Sequence, residues 1–331
     1  MLSKVNFSKY FFINLIVLLI PINFIFGNLM LNLNIIILII LVLFLFGSSV
    51  FKIRLNNIDK LIIVFFLYVF FNGLINNFLA YNNLPSQNLI LIKTVAYCRF
   101  FILYFVIRFL VIKNLINFKY LFFFFGFCAL FVSIDIIVQY IAGVDLLGFK
   151  AEVSSEGTER RLSGPFDDEY IAGSFIQRFF IFFPYFFLIF FKFNNKKIFQ
   201  SLFLVILFIS LVGTLLSGNR VPLVMSSIIL MLLFIFEKES RKTLIASFLV
   251  LIISTFYLVK TNENHNTHLK QLFKSSYQLY IYFEKKITAK KISILENSYV
   301  KEMETGFLTW EKNKFFGGGV KSFYSNCISI K

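Results

Sequence analysis

Residues 29–50 read LMLNLNIIILIILVLFLFGSSV, an apolar run without one charged side chain. At about 1.5 Å of rise per residue such a run crosses the roughly 30 Å hydrocarbon layer of a bilayer as one helix. Lipid offers no hydrogen bonds, so the backbone must satisfy its own, and a helix does that within one segment. Working outward from this stretch, eight more runs of the same character appear. They lie at 10–27, 59–80, 89–112, 118–142, 170–191, 198–216, 221–236 and 243–259. The spacing predicts about nine transmembrane helices and an all-α polytopic membrane protein. The first run lacks a small-x-small cleavage site and is interrupted by Pro21, so it reads as a span rather than a signal peptide.

Composition agrees with this reading. Hydrophobic residues make up 58% of the 331, Phe alone contributes 49, and charged residues only 15%. A soluble domain carries roughly 25% charged residues. The net charge of +16 would point to nucleic acid in a soluble chain. Here most Lys and Arg sit in short links between apolar runs, where they set orientation, and no nucleic-acid partner is expected. The three cysteines, Cys98, Cys128 and Cys327, form no CxxC, which argues against a zinc or redox motif.

The links alternate in charge. With the N-terminus inside, the cytoplasmic links hold Lys4 and Lys9; Lys52, Arg54 and Lys60; Lys113 and Lys119; Lys192, Lys196 and Lys197; Lys238, Arg241 and Lys242. The link 81–88 holds no positive charge, and 217–220 holds Arg220 alone. This asymmetry predicts a cytoplasmic N-terminus. A membrane bundle, 1–259, then carries an outer loop at 143–169, and a second extracytoplasmic segment follows at 260–331.

Three stretches on the outer side are specific. The loop 143–169 ends in Arg160-Arg161-Leu-Ser-Gly-Pro-Phe-Asp-Asp-Glu, where Gly-Pro makes a turn and acids meet the positive end of a helix. A capped helix start with solvated arginines accounts for it without a ligand. The seventh and eighth runs meet in Leu216-Ser-Gly-Asn-Arg-Val-Pro222. Arg220 there is either an arginine reaching for headgroups or an anion contact. The tail carries Trp310-Glu-Lys-Asn-Lys-Phe-Phe-Gly317-Gly-Gly319-Val-Lys-Ser-Phe323, whose glycines permit a close turn.

In order and spacing these three stretches resemble the O-antigen ligase and O-antigen polymerase family. Its pattern is an Arg-x-Ser-Gly-x-Phe loop, a Ser-Gly-x-Arg turn and a Trp-x-x-Asn-x-x-x-Gly-x-Gly-x-x-x-Phe loop. The resemblance covers about 150–331 by motif and the rest by hydropathy. It implies a bundle like the N-terminal part of a GT-C fold in the bacterial inner membrane. It also implies glycosyl transfer from a polyprenyl-diphosphate-linked glycan to lipid A–core or to another glycan, without a metal or cofactor. The loop motif residues would be Trp310, Gly317, Gly319 and Phe323. Two departures stand out. Asp167 occupies a position where Gly is common. The family's His-Pro-His-Asn-like segment and further helices have no counterpart before Lys331, so the chain is expected to be truncated and to lack the catalytic His. His265 and His268 precede the glycine segment and read as ordinary surface residues.

A departing diphosphate develops negative charge, which fixed cations in a poorly hydrated site stabilise. Ionisable residues inside spans are costly unless paired or used. At helical rise, Lys93 lies roughly 6 Å and Arg99 about 15 Å inside the fourth run, and Arg178 roughly 12 Å inside the sixth. These three, with Arg161 and Arg220 at a rim, form the candidate diphosphate site. Asp135, about 10 Å from the outer end of the fifth run, would pair with an intramembrane cation. Ion pairing between helices, with no substrate, explains the same residues. Arg108, near the inner end, reads as topogenic. Intramembrane charges also suit a transporter or flippase of a lipid-linked glycan, and a non-catalytic assembly partner would keep the lipid-binding helices alone.

Overall fold

The computed structural model describes residues 10–79, 87–150, 162–167, 169–190, 196–236, 241–261 and 298–312, with isolated positions at 277, 281, 314 and 317. Among these residues the regular structure is helical; Val144 and Lys150 form a single isolated β-bridge. Each of the nine apolar runs is helical: α1 Phe11–Leu18 and α2 Ile20–Ile25, α3 Asn28–Phe46, α4 Asn57–Leu79, α5 Gln87–Tyr97 and α6 Arg99–Ile112, α7 Phe118–Ala142, α8 Ala172–Phe179 and α9 Phe182–Phe190, α10 Lys196–Leu216, α11 Arg220–Phe236, and α12 Arg241–Thr261. A further helix, α13, covers Ser298–Lys312. Among the described residues four stretches are long and apolar enough to cross a bilayer as they stand: Asn28–Val50, Asn57–Asn77, Leu91–Ile112 and Phe118–Ala142. Shorter apolar helices cover Phe11–Ile25, Gln200–Leu216 and Val221–Phe236. The long helices turn large apolar side chains outward, with Phe44 86% and Leu61 70% exposed. A face of this kind needs lipid as its solvent.

The sixth run departs from the prediction. Instead of one span over 170–191 it is two short helices, α8 and α9, parted at Phe180–Ile181. Pro184 supplies the reason. It has no N–H to donate to the Phe180 carbonyl, and its ring crowds that carbonyl. The helix therefore ends and restarts, with the proline in the first turn of α9, where a missing N–H costs nothing. Pro21 does the same between α1 and α2. Cys98 marks a gentler irregularity between α5 and α6, keeping bonds to the Thr94 and Val95 carbonyls at 3.3 and 3.0 Å.

The chain divides into two compact units, residues 1–34 with 115–272, and 35–114 with 273–331. In the first unit α7 and α10 are the central pair. Small residues let them approach: a Cβ on Gly213 would stand 2.8 Å from the Ser133 Cα, and Gly126 lies directly under the Phe183 backbone of α9. Where lipid competes as an apolar solvent, such close van der Waals packing, rather than transfer from water, holds helices together. Val132, Ile136, Phe175, Ile176, Leu207 and Leu211 fill the core between these helices, and a second cluster joins Phe183, Phe186 and Ile206. Polar clamps add direction. Asn14, buried in α1, donates to the Leu115 carbonyl at 3.0 Å and accepts from the Asn117 amide at 2.8 Å.

In the second unit Phe66 of α4 meets Tyr97 and Phe101 at 5.8 and 5.2 Å between ring centroids. Gly73 leaves no room for a side chain beside the fully buried Thr94. Asn56 and Asp59 cap the start of α4 reciprocally, at 2.6 and 2.9 Å, in the manner of a capping box. Arg108, read from the sequence as topogenic, also has a structural partner. Its guanidinium pairs with the fully buried Asp59, which also accepts from the Tyr104 hydroxyl at 2.5 Å, and it donates to the Arg54 carbonyl at 3.2 Å. An arginine from α6 gives the capping carboxylate of α4 the counter-charge that burial requires.

Candidate functional site

The loop after α7 is organised by the end of that helix. Gly143 takes a left-handed conformation, φ 77°, and its N–H caps the Gln139 carbonyl at 2.9 Å. This reversal brings the following amides back over the last turns of α7. The Leu146 N–H donates to Asp135 Oδ1 at 2.8 Å, and the Leu147 and Phe149 N–H groups donate to Asp145 Oδ1 at 3.0 and 2.6 Å. Asp135 was expected to pair with an intramembrane cation. Among the described residues of its unit it makes no ion pair; it is a buried acceptor that shapes the loop, with the Asp145 carboxyl as neighbour.

The Leu-Ser-Gly-Pro-Phe segment docks on the same face. Leu162, Ser163, Gly164, Pro165 and Phe166 are all buried. The fully buried Gln139 accepts the Gly164 N–H at 2.9 Å. Gly164 has φ 55°, and a Cβ there would come within 3.1 Å of Ile136 Cδ1 and 3.3 Å of Asp135 Oδ2. Only glycine fits both the backbone and the space. Sequence reasoning missed Gln139. The signal was present, since Asp135 and Gln139 stand four residues apart on one helix face inside an apolar run.

The Ser-Gly-Asn turn closes on the other side of α8. Gly218, φ 72°, reverses the chain between α10 and α11. Asn219 Nδ2 donates to the Tyr170 carbonyl at 2.9 Å, ahead of α8, and Ser217 packs on Gly173 where a Cβ would stand. The two motif segments therefore meet around the first turn of α8. The backbone of Arg220 opens α11; its side chain and the whole of Arg161 lie outside the described residues. Arg178 is exposed in the last turn of α8, with its guanidinium 5.6 Å from the centre of the Phe24 ring. A cation at a helix C-terminus is also favoured by the helix dipole.

In the second unit Lys93 is half-buried on α5, and Arg99 begins α6 with its guanidinium 4.7 Å from the Phe100 ring. The third motif contributes Gly317, φ 69°, whose carbonyl accepts from Asn76 Nδ2 at 3.1 Å. Asn76 also donates to Asn72 Oδ1 at 2.6 Å, and Asn72 to the Tyr68 hydroxyl at 3.4 Å. Tyr68, Asn72 and Asn76 thus form a polar ladder at four-residue spacing, reaching down α4 from the glycine. Trp310 is exposed on α13, beside Phe307. Gly319, Phe323, Cys327, His265 and His268 lie outside the described residues.

The first unit also holds a cavity of about 730 Å³ between α2, α7 and the loop. Of the predicted cations whose side chains are described, Lys93, Arg99 and Arg178, none lines it. Its walls are aromatic, and among the described residues the ionisable groups in the lining are the Cys128 thiol and the carboxyls of Asp167 and Glu169. Asp167 has φ 50° and ψ −116°, a backbone that L side chains rarely adopt. Among the described residues no group of three or more His, Cys, Asp or Glu is arranged to hold a metal. No family model, curated protein or solved structure matches the chain.

Proposed function

We propose that the chain binds a polyprenyl-diphosphate-linked glycan at the outer face of the bacterial inner membrane and takes part in glycosyl transfer from it, as an O-antigen ligase or polymerase does. In this reading the nine helical runs are nine spans, the N-terminus is cytoplasmic, and Arg161 and Arg220 hold the diphosphate with help from Arg178, Arg99 and Lys93. The acceptor is lipid A–core or another glycan. The observation that carries the reading is the meeting of the two arginine-bearing motifs at α8, through the Asn219 bond to Tyr170 and the seat of Ser217 on Gly173. Arg161 precedes the buried Leu162, and Arg220 follows Asn219, whose side chain is bonded to the Tyr170 carbonyl, so both arginines start from anchored backbone. Pre-oriented charge stabilises a leaving diphosphate without reorganisation. No residue is assigned as the base.

The test is direct. The purified chain is reconstituted with undecaprenyl-diphosphate-linked glycan, and both donor binding and release of the free carrier are followed. Arg161→Ala and Arg220→Ala should each weaken donor binding, and should lower any transfer by about 100-fold, the usual cost of removing one charge-stabilising donor. Unchanged binding in both variants would refute the assignment. The broken α8–α9 segment favours a second reading, because discontinuous helices are the usual substrate seats of transporters. That reading requires the intact lipid-linked glycan to cross the membrane with its glycosidic bond unbroken.

A further inference from the structure

The cavity in the first unit carries carboxyls and no Lys or Arg in its described lining, which does not suit a diphosphate and points to a different occupant. Its volume of about 730 Å³ falls in the range of small-molecule sites, roughly 300–1,000 Å³. Ile25, Phe124, Phe127, Phe131 and Phe166 make the walls apolar along most of their length. Phe26 and Phe127 at its edge are exposed, so the cleft opens sideways from the protein. α7, which forms one wall, is among the helices long and apolar enough to cross a bilayer, and the opening therefore faces hydrocarbon. At the loop end stand Asp167 and Glu169, both exposed and without an ion pair among the described residues. Among the described residues no Lys or Arg lines the cleft.

An apolar slot with a negative rim complements a molecule with a hydrocarbon chain and a positive, hydrogen-bond-donating head. We propose that this cleft seats one acyl chain of an ammonium-headed phospholipid, phosphatidylethanolamine, entering sideways past Phe127, with its ammonium against Asp167 and Glu169. The charge argument decides between lipid classes. An anionic headgroup would meet two carboxylates that have no ion pair among the described residues, whereas an ammonium neutralises one and donates to both. The seat does not depend on the glycosyl-transfer reading, and a carrier diphosphate bound elsewhere leaves it unaffected.

Trp310 is the only tryptophan in the chain, so a Phe127→Trp variant in a Trp310→Phe background reports from the cleft alone. Fluorescence quenching by phosphatidylethanolamine with brominated acyl chains is compared with quenching by phosphatidylglycerol carrying the same chains. The ethanolamine lipid should bind about five-fold more tightly, the sum of two modest rim contacts. Asp167→Gly with Glu169→Gln should abolish the preference while keeping quenching itself. Asp167→Gly is chosen because it relieves the positive φ, so loss of preference cannot be put down to misfolding. Native mass spectrometry of the unsubstituted chain supplies a second readout and should show phosphatidylethanolamine retained ahead of phosphatidylglycerol. Absence of quenching, equal quenching by both lipids, or a preference that survives removal of both carboxyls would each overturn the proposal.

Discussion

The Asp59–Arg108 pair shows what one residue can cost inside an apolar bundle. Asp59 is fully buried, and its two oxygens take bonds from Arg108, Tyr104 and the Asn56 amide. Removing only the cation leaves a buried carboxylate facing Tyr104 alone on one oxygen. Arg108→Ala should therefore destabilise the protein by about 3–5 kcal/mol, whereas replacing both partners with apolar residues of similar size should cost far less. Thermal unfolding in detergent of Arg108→Ala against an Asp59→Leu/Arg108→Met double variant checks this. Equal losses in the two proteins would mean that the pair does not act as a unit. The sequence gives Arg108 away as a charge within a span but says nothing of its partner. Asp59 is 49 residues distant and lies in a stretch that reads as a charged link. Asp135 reads differently for the complementary reason: a carboxylate in a span invites a cation, yet the Leu146 amide, 11 residues on, supplies a bond from the chain's own backbone.

At the level of elements, the positions of the helices were legible and their continuity was not. Length and hydropathy locate every run, because a bilayer imposes both on any segment that crosses it. The split of the sixth run into α8 and α9 depends on one proline in a context where prolines are often tolerated. Packing was less legible still. Nothing in the spacing of Gly126 or Gly213 distinguishes them from other glycines, and only their closeness to Phe183 and Ser133 does. The motif turns fall between these extremes. Gly164 and Gly218 could be read as turns from their neighbours, whereas their anchors, Gln139 and Tyr170, come from elsewhere in the chain. The α7–α10 contact offers an element-scale test. A Cβ at Gly213 falls 2.8 Å from Ser133 Cα, backbone that cannot swing aside. Gly213→Val should force the helices apart and cost about 1–3 kcal/mol or more, lowering the unfolding temperature. Gly27→Ala, at a position with open space but positive φ, should cost only the smaller backbone strain. A Gly213→Val protein as stable as its parent would mean that α7 and α10 do not pack through these residues.

For the molecule as a whole the open question is the path of the chain through the membrane, because every functional role above depends on which loops share a side. The helical runs themselves carry no sign of direction; only the links do. Lys52, Arg54 and Lys60, then Lys113 and Lys119, then Lys192, Lys196 and Lys197, then Lys238, Arg241 and Lys242 recur at every second link; of the links between them, 81–88 holds no positive charge, 217–220 holds Arg220 alone, and the long loop 143–169 holds Lys150, Arg160 and Arg161. Chance would scatter these charges over both sets of links, whereas insertion retains positive charge in the cytoplasm. The alternation also constrains the broken sixth run. If α8 and α9 together crossed no bilayer, the charged links at 192–197 and 113–119 would fall on opposite sides, against the rule. The expectation is therefore that α8–α9 spans as one broken unit and that 143–169 and 217–220 lie on the same, non-cytoplasmic face. Reporter fusions after residues 54, 85, 115, 155, 194, 219 and 240 check it, using one enzyme active only inside and one active only outside. Inside activity is expected at 54, 115, 194 and 240, and outside activity at 85, 155 and 219. Outside activity at 194 would show that α8–α9 re-enters without crossing. The Arg161 and Arg220 segments would then face opposite sides of the membrane, and no single diphosphate could meet them both.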